Sequence, residues 1–145
     1  NWQDIKKLKE GLKIPVIANG DVFTVEDFIE IMETTKADGV MLARGIMGNP
    51  FLFKYIKDYL ANGTYKKVSY KEIIEQIKDQ YELTLKFKDE LLTVNQMRKH
   101  VGWYLKSLPN ATKIRAKVNT LKNKEEIFKL LDEYKNYLEV NYDRK

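Results

Sequence analysis

The sequence contains no cysteine and a single histidine, His100. A disulfide framework, a cysteine-ligated zinc site and a cysteine nucleophile are therefore excluded from these residues. One histidine also excludes a histidine-rich metal centre. No run approaches the ~18 consecutive apolar residues that a spanning helix needs. The first residues, Asn-Trp-Gln-Asp, lack an initiator Met, a basic region and the apolar stretch of an export signal. A cytoplasmic chain that begins in mid-sequence, without metal or membrane attachment, is the expectation.

What is present fits a folded protein. Hydrophobic residues make up 43% of the 145 and charged residues 32%, too apolar for a disordered chain. The formal net charge of +5 is unevenly spread. Residues 1–63 hold 8 Lys/Arg against 9 Asp/Glu, and residues 64–145 hold 18 against 12. Between Met97 and Lys124 there are eight basic residues and no acidic one: Arg98, Lys99, Lys106, Lys113, Arg115, Lys117, Lys122 and Lys124. Such a single-sign stretch is a candidate surface for a polyanion, although lysine-rich solvated helix faces are common.

Residues 1–63 alternate helical and strand patterns. Asp4 to Leu12 reads as a short helix with Ile5, Leu8 and Leu12 on one face. Ile14–Ala18 is a continuous apolar run, expected as a strand buried on both faces. Thr24 with Asp27 forms a capping-box variant opening a helix that buries Phe28, Ile31 and Met32. Val40–Ala43 reads as a second buried strand. Asn49-Pro50 predicts a last helix, with Asn as cap and Pro first, running through Phe53 and Ile56 towards Leu60 and ending near Asn62-Gly63. The order α-β-α-β-α implies a parallel sheet with crossover helices. Two strands alone leave faces and edges uncovered, so the rest of the sheet is expected upstream.

From residue 64 strand signals vanish. Ser69 with Glu72 caps a helix whose stripe is Ile73, Ile74, Ile77 and Tyr81. Thr93 with Gln96 is expected to open a second, carrying Met97, Val101, Tyr104 and Leu105. A third spans about Ala111–Leu121, with Ile114, Val118 and Leu121. Asn123 with Glu126 opens a fourth, with Ile127, Leu130, Leu131, Tyr134 and Leu138. The fold class is thus α/β followed by all-α, with a boundary in residues 62–68 and a four-helix bundle at the end.

Two loops could hold an anion. Asn19-Gly20-Asp21 follows the first strand, and Ala43-Arg44-Gly45 follows the second. Glycine lets the backbone approach a ligand, amides can cradle an anion, and Arg offers donors to phosphate oxygens. Each loop alone is ordinary turn chemistry. Asp38 lies before its strand, at the opposite end from Asp21, so the two should not form an acid/base pair. His100 has two readings, an RNA contact or a core-edge histidine. Trp103 and Tyr104 fit the core better than base stacking.

The segments Ile14–Asp21, Ala37–Gly45 and Gly48–Phe51 resemble the end of the catalytic barrel of tRNA-dihydrouridine synthases. Arg98–Leu105 and the following Leu108-Pro-Asn resemble their helical domain. The resemblance implies that residues 1–63 are the C-terminal portion of an FMN-binding (β/α)8 barrel, its last two strands with their helices. It implies that residues 64–145 are a tRNA-binding domain. It further implies reduction of tRNA uridine to dihydrouridine, with FMN as cofactor and NADPH as reductant. Asn19, Gly20, Asp21, Ala43, Arg44 and Gly45 would hold the FMN phosphate. The family usually has Gly where this chain has Ala43, which matters only if a positive φ is needed there. The catalytic residues, a cysteine among them, are expected upstream, leaving none here and this chain inactive alone. Arg98, Lys99, His100, Lys106, Lys113, Arg115 and Lys117 would face the RNA. About five phosphate contacts would give a log–log salt slope on the order of −3 to −4. Two other readings stay open: a non-catalytic RNA-binding module, and an FMN barrel acting on a small metabolite. The exposed sheet edge also predicts self-association.

Overall fold

The computed structural model describes residues 1–142, which divide into two compact units, Asn1–Lys67 and a second that begins at Val68. The last three residues of the predicted helical segment lie outside the described residues.

The first unit runs α1 (Trp2–Gly11), β1 (Ile17–Asn19), α2 (Val25–Thr35), β2 (Gly39–Met41), a 3₁₀ turn (Arg44–Ile46) and α3 (Leu52–Asn62). β1 and β2 are parallel, with Ile17 opposite Gly39, Ala18 opposite Val40 and Asn19 opposite Met41. α2 starts where its capping box dictates: Thr24 Oγ1 accepts from the Asp27 amide at 3.1 Å, and the Asp27 carboxylate accepts from the Thr24 amide at 2.9 Å. α3 stops at Gly63, whose φ of +71° suits a residue without Cβ.

Several expectations are corrected. The strands are shorter than the apolar runs and are not buried on both faces. Ala18 is buried, whereas Ile17 and Met41 are 60% and 55% exposed. Strand side chains alternate, so Ala18 and Val40 join Ile31, Phe28 and Trp2 in the core while the other face stays bare. α1 buries Trp2 and Ile5 partially; Leu8 and Leu12 remain exposed. Trp2 displaces the predicted stripe because its indole N–H donates to the Gly20 carbonyl at 3.1 Å, fixing the helix's rotation. α3 begins at Leu52 after a turn through Pro50, so its inward face is Leu52, Tyr55 and Ile56, and Phe53 and Leu60 point outward.

The second unit holds α4 (Tyr70–Leu85), α5 (Glu90–Tyr104), α6 (Ala111–Thr120) and α7 (Lys124–Tyr142). α4 packs against α5 and α7, and α6 packs against α5 and α7. Ser69 and Glu72 form the predicted capping box. Asn123 Oδ1 accepts from the Glu126 amide at 2.9 Å. The core residues of α4 and α7 are those the 3.6-residue period selects, from Ile73 to Tyr81 and from Ile127 to Leu138. α5 departs from expectation. Its N-cap is Asp89, which accepts from the Leu92 amide at 2.8 Å, and Thr93 lies buried inside the helix. Asp89 is an equally good cap one turn earlier, and the longer helix buries Val94 as well.

Candidate functional site

Parallel, in-register strands end side by side, so the loops that follow them must meet. β1 ends at Asn19, and the chain turns through Gly20 (φ +148°) and Asp21 (φ +49°). The first conformation belongs to glycine; the second is left-handed, which Asp tolerates better than most side chains. The turn buries Val22 and delivers Thr24 to the start of α2. After β2 the chain passes Ala43 into the 3₁₀ turn. Ala43 has φ −120°, so no positive φ is required and its methyl group is accommodated.

A small cleft of ≈100 Å³ lies between these loops. Asn19, Gly20 and Asp21 line it from one side, and Ala43, Arg44 and Gly45 from the other. All six residues predicted around the phosphate thus border one recess. Val22, Phe23 and Met41 complete the lining; sequence reasoning missed them, and only Met41's place at a strand end hinted at it. Gly45 is needed because the loops touch: a Cβ there would overlap the Val22 carbonyl oxygen and stand 2.9 Å from its carbon. Among the described residues no protein acceptor takes the amide N–H of Asp21, Val22 or Gly45. Val22 and Gly45 are buried, and unpartnered donors in such places are what an anion satisfies. The Arg44 guanidinium donates to the Asp21 carboxylate. Both side chains are about 70% exposed, at 71% and 68%, so this pair holds them weakly. Asp38 is held elsewhere, accepting from Lys9 Nζ at 2.6 Å and from the Val16 amide at 2.7 Å. Those bonds, Lys9's first, keep its carboxyl below the usual range.

The second unit sorts its cations by pairing. Lys78 lies 2.6 Å and Lys135 3.0 Å from Asp132, and Lys124 lies 3.0 Å from Glu82. Among the described residues no carboxylate pairs with Lys99, Lys106, Lys113 or Lys117, all exposed. Lys71, Lys86, Lys122 and Lys129 are likewise exposed and in no ion pair among the described residues, so α5, α6 and the turn between them carry part of the unpaired charge. The two arginines of this stretch turn inward. Arg98 donates to the Leu121 carbonyl at 2.9 Å, satisfying the end of α6. The Nε atoms of Arg98 and Arg115 are both buried without a partner.

His100 sits half-buried between α4 and α5. The Tyr104 hydroxyl donates to Gln80 Oε1 at 3.0 Å, which leaves the Gln80 amide nitrogen facing His100 Nδ1 at 3.2 Å. Burial pushes the Tyr104 hydroxyl up to about 12, so it stays a donor at neutral pH. The chain of bonds makes Nδ1 an acceptor and puts the histidine proton on Nε2. Burial, and then the Lys99 charge, lower the His100 pKa and keep it neutral. Trp103 stands edge-on to His100 at 5.0 Å, and Lys99 Nζ lies 5.0 Å from the Trp103 ring centre. Gln80 had no sequence signal, because its role depends on the register of two helices.

Among the described residues no group of three or more His, Cys, Asp or Glu gathers in a metal-binding arrangement. Nor is any helix among them long and apolar enough to cross a membrane.

The chain matches the family described as Dihydrouridine synthase (Dus) over residues 1–139. It is 36% identical over 143 residues to a probable tRNA-dihydrouridine synthase of Rickettsia conorii, covering 97% of this chain and 43% of that protein. It is 38% identical over 133 residues to probable tRNA-dihydrouridine synthase 1 of Synechocystis sp., covering 91% and 37% respectively. It is 34% identical over 125 residues to tRNA-dihydrouridine synthase B of Pseudomonas syringae pv. tomato, covering 86% and 37%. The chain thus spans about two fifths of the length of the curated relatives it matches.

Proposed function

The chain belongs to the dihydrouridine synthase family, and from that premise we propose that it is part of a cytoplasmic, flavin-dependent enzyme that reduces uridine to dihydrouridine in tRNA. Residues 1–63 supply the last two strands of a (β/α)8 barrel, and residues 64–145 a four-helix domain that binds the tRNA. The bare sheet face carrying Ile17 and Met41 supports the barrel assignment, because an apolar strand face of that kind belongs against further strands.

The cleft between the two loops fits the phosphate of FMN. Its amides at Asp21, Val22 and Gly45, unpartnered among the described residues, suit phosphate oxygens, and Gly20 with φ +148° makes the turn that presents them. Asn19, Gly20, Asp21, Ala43, Arg44 and Gly45 hold the group. Arg44 is the movable part: a phosphate would draw its exposed guanidinium from Asp21. When bound, FMN supplies the hydride, replenished by NADPH, that reduces the uracil ring. This chain's residues bind and orient the cofactor's phosphate, and the group that protonates the uracil lies outside them. The exposed Lys99, Lys106, Lys113 and Lys117 meet RNA phosphates, while Arg98, Arg115 and His100 shape that surface from beneath.

The observation that carries this reading is the meeting of both predicted loops at one cleft, each directly after a parallel strand. The test is the full-length protein containing this chain. It should purify with FMN and, given NADPH, reduce uridines of unmodified tRNA; Arg44→Ala should lower its flavin content. A full-length protein that carries no flavin after gentle extraction would count decisively against the reading. For the chain alone, labelled unmodified tRNA should bind with an affinity that falls steeply with salt. Changing Lys99, Lys106, Lys113 and Lys117 to alanine should flatten that slope by about 3.

A further inference from the structure

The facing stripes of α6 and α7 do not close on one another. From the α6 side, Asn110, Lys113, Ile114 and Lys117 recur at intervals of three and four, and so share a face. From the α7 side, Leu130, Glu133, Tyr134 and Tyr137 do the same. Between them remains a cleft of ≈340 Å³, within the size range of small-ligand sites. Its chemistry is divided. Ile114, Leu130 and the tyrosines make an apolar and aromatic wall, with Tyr134 and Tyr137 near-parallel at 16°. Tyr134 is fixed, because its hydroxyl donates to the Pro109 carbonyl at 2.6 Å. Asn110 steadies Tyr137, donating its side-chain amide to that hydroxyl at 2.5 Å. Lys113 and Lys117 add two exposed cations to the lining, and among the described residues neither pairs with a carboxylate, Glu133 included. The Glu133 carboxylate is left as an acceptor.

We propose that this cleft holds one nucleotide, its base against Ile114 and Tyr137 and its phosphate at Lys113 and Lys117. Glu133 accepts from a ring or exocyclic N–H of the base, which selects for bases presenting a donor. Fixed aromatic rings beside unpaired lysines are the combination that single-stranded nucleic acid uses. The nucleotide is an unstacked residue of the bound RNA, an assignment that rests on the proposed tRNA partner. A free nucleotide has the same chemistry.

The test uses the whole chain, methyl-labelled at Ile and Leu, titrated separately with adenosine 5′-monophosphate and with unmodified tRNA. The methyl signals of Ile114 and Leu130 report on the cleft, and anisotropy of labelled tRNA reports independently on RNA binding. Expected are saturable shifts of both signals with either probe, and loss of most of the nucleotide response in a Lys113→Ala/Lys117→Ala variant. Glu133→Gln should weaken binding of the adenine nucleotide more than of inorganic phosphate. Shifts with the nucleotide but no tRNA binding would keep the cleft and overturn the RNA source. Tight tRNA binding with silent Ile114 and Leu130 under both probes would overturn the cleft and leave the RNA partner standing. Silence in every arm would overturn both.

Discussion

Replacing Gly45 with alanine tests how the cleft between the two loops is built. The 3₁₀ turn and the segment after Gly20 meet backbone to backbone. A Cβ on residue 45 would overlap the Val22 carbonyl oxygen, with the Val22 carbonyl carbon at 2.9 Å and Phe23 Cα at 3.2 Å. None of these atoms is the free end of a side chain, so relief requires the two loops to separate by an ångström or more. Val22 is 4% exposed and belongs to the core with Ala18 and Ile31, so separation also loosens apolar packing. Overpacking of a rigid core costs about 1–3 kcal/mol, and backbone atoms on both sides place this case at about 3 kcal/mol or above. With a urea m-value of about 1–2 kcal/mol/M for a small unit, the midpoint should fall by about 1.5 to 3 M. The Trp2 indole N–H is a built-in reporter, because it is bonded to the Gly20 carbonyl in the same unit. Its NMR signal, followed through a urea series, should lose dispersion early in the variant. Gly102→Ala is the matched control: it lies within α5, nothing stands within 4 Å of its Cβ, and alanine should stabilise by about 0.5–1 kcal/mol. A Gly45→Ala chain that keeps the native Trp2 midpoint within about 0.3 M would refute the claim that the loops are in contact.

Asp21→Asn should leave the fold intact, since Asn tolerates the left-handed conformation at least as well. It frees Arg44, so apo full-length protein should bind FMN about two- to fivefold more tightly; weaker binding by isothermal titration would show that the carboxylate itself contributes. The second unit should lose stability as pH falls below about 6.5, because unfolded histidine takes up a proton there while His100, with its lowered pKa, resists. Above that range both states are neutral and its contribution is complete; a His100→Gln variant with an unchanged pH profile would disprove the assignment. Since His100 is the sole histidine, its ¹⁵N shifts can be read without ambiguity, and a proton found on Nδ1 would contradict the Tyr104–Gln80 chain. The bare sheet face should drive self-association of these residues when isolated, and a clean monomer by sedimentation at high concentration would rule that out.

Much was legible without coordinates. Capping boxes at Thr24 and Ser69 announce α2 and α4 because a side-chain oxygen and a carboxylate three residues on satisfy amides that a helix start leaves open. The stripes of α4 and α7 follow from the 3.6-residue period, which needs no partner to be read. The two loops were also visible, since glycine beside Asp or Arg directly after an apolar run is a local pattern. Gly63 likewise marks the end of α3.

Other features depended on what lies far away in the chain. Nothing near Leu8 says that Trp2 takes the inward position; the Gly20 carbonyl decides it, 18 residues on. Apolar runs suggested strands buried twice over, yet only one face of β1 and β2 meets helices. Lysine and arginine looked alike in a basic stretch, but Arg98 reaches a carbonyl 23 residues away while Lys113 and Lys117 pair with no acid among the described residues. The tautomer of His100 belongs to Gln80 and Tyr104 together. Local sequence therefore determined which elements form and, at Thr24, Ser69 and Gly63, where they start or stop, because caps, glycines and periodicity act within about four residues. Which faces are buried, which cations remain unpaired and where two loops form one cleft were decided by tertiary packing, since each depends on a partner that the neighbouring residues do not specify.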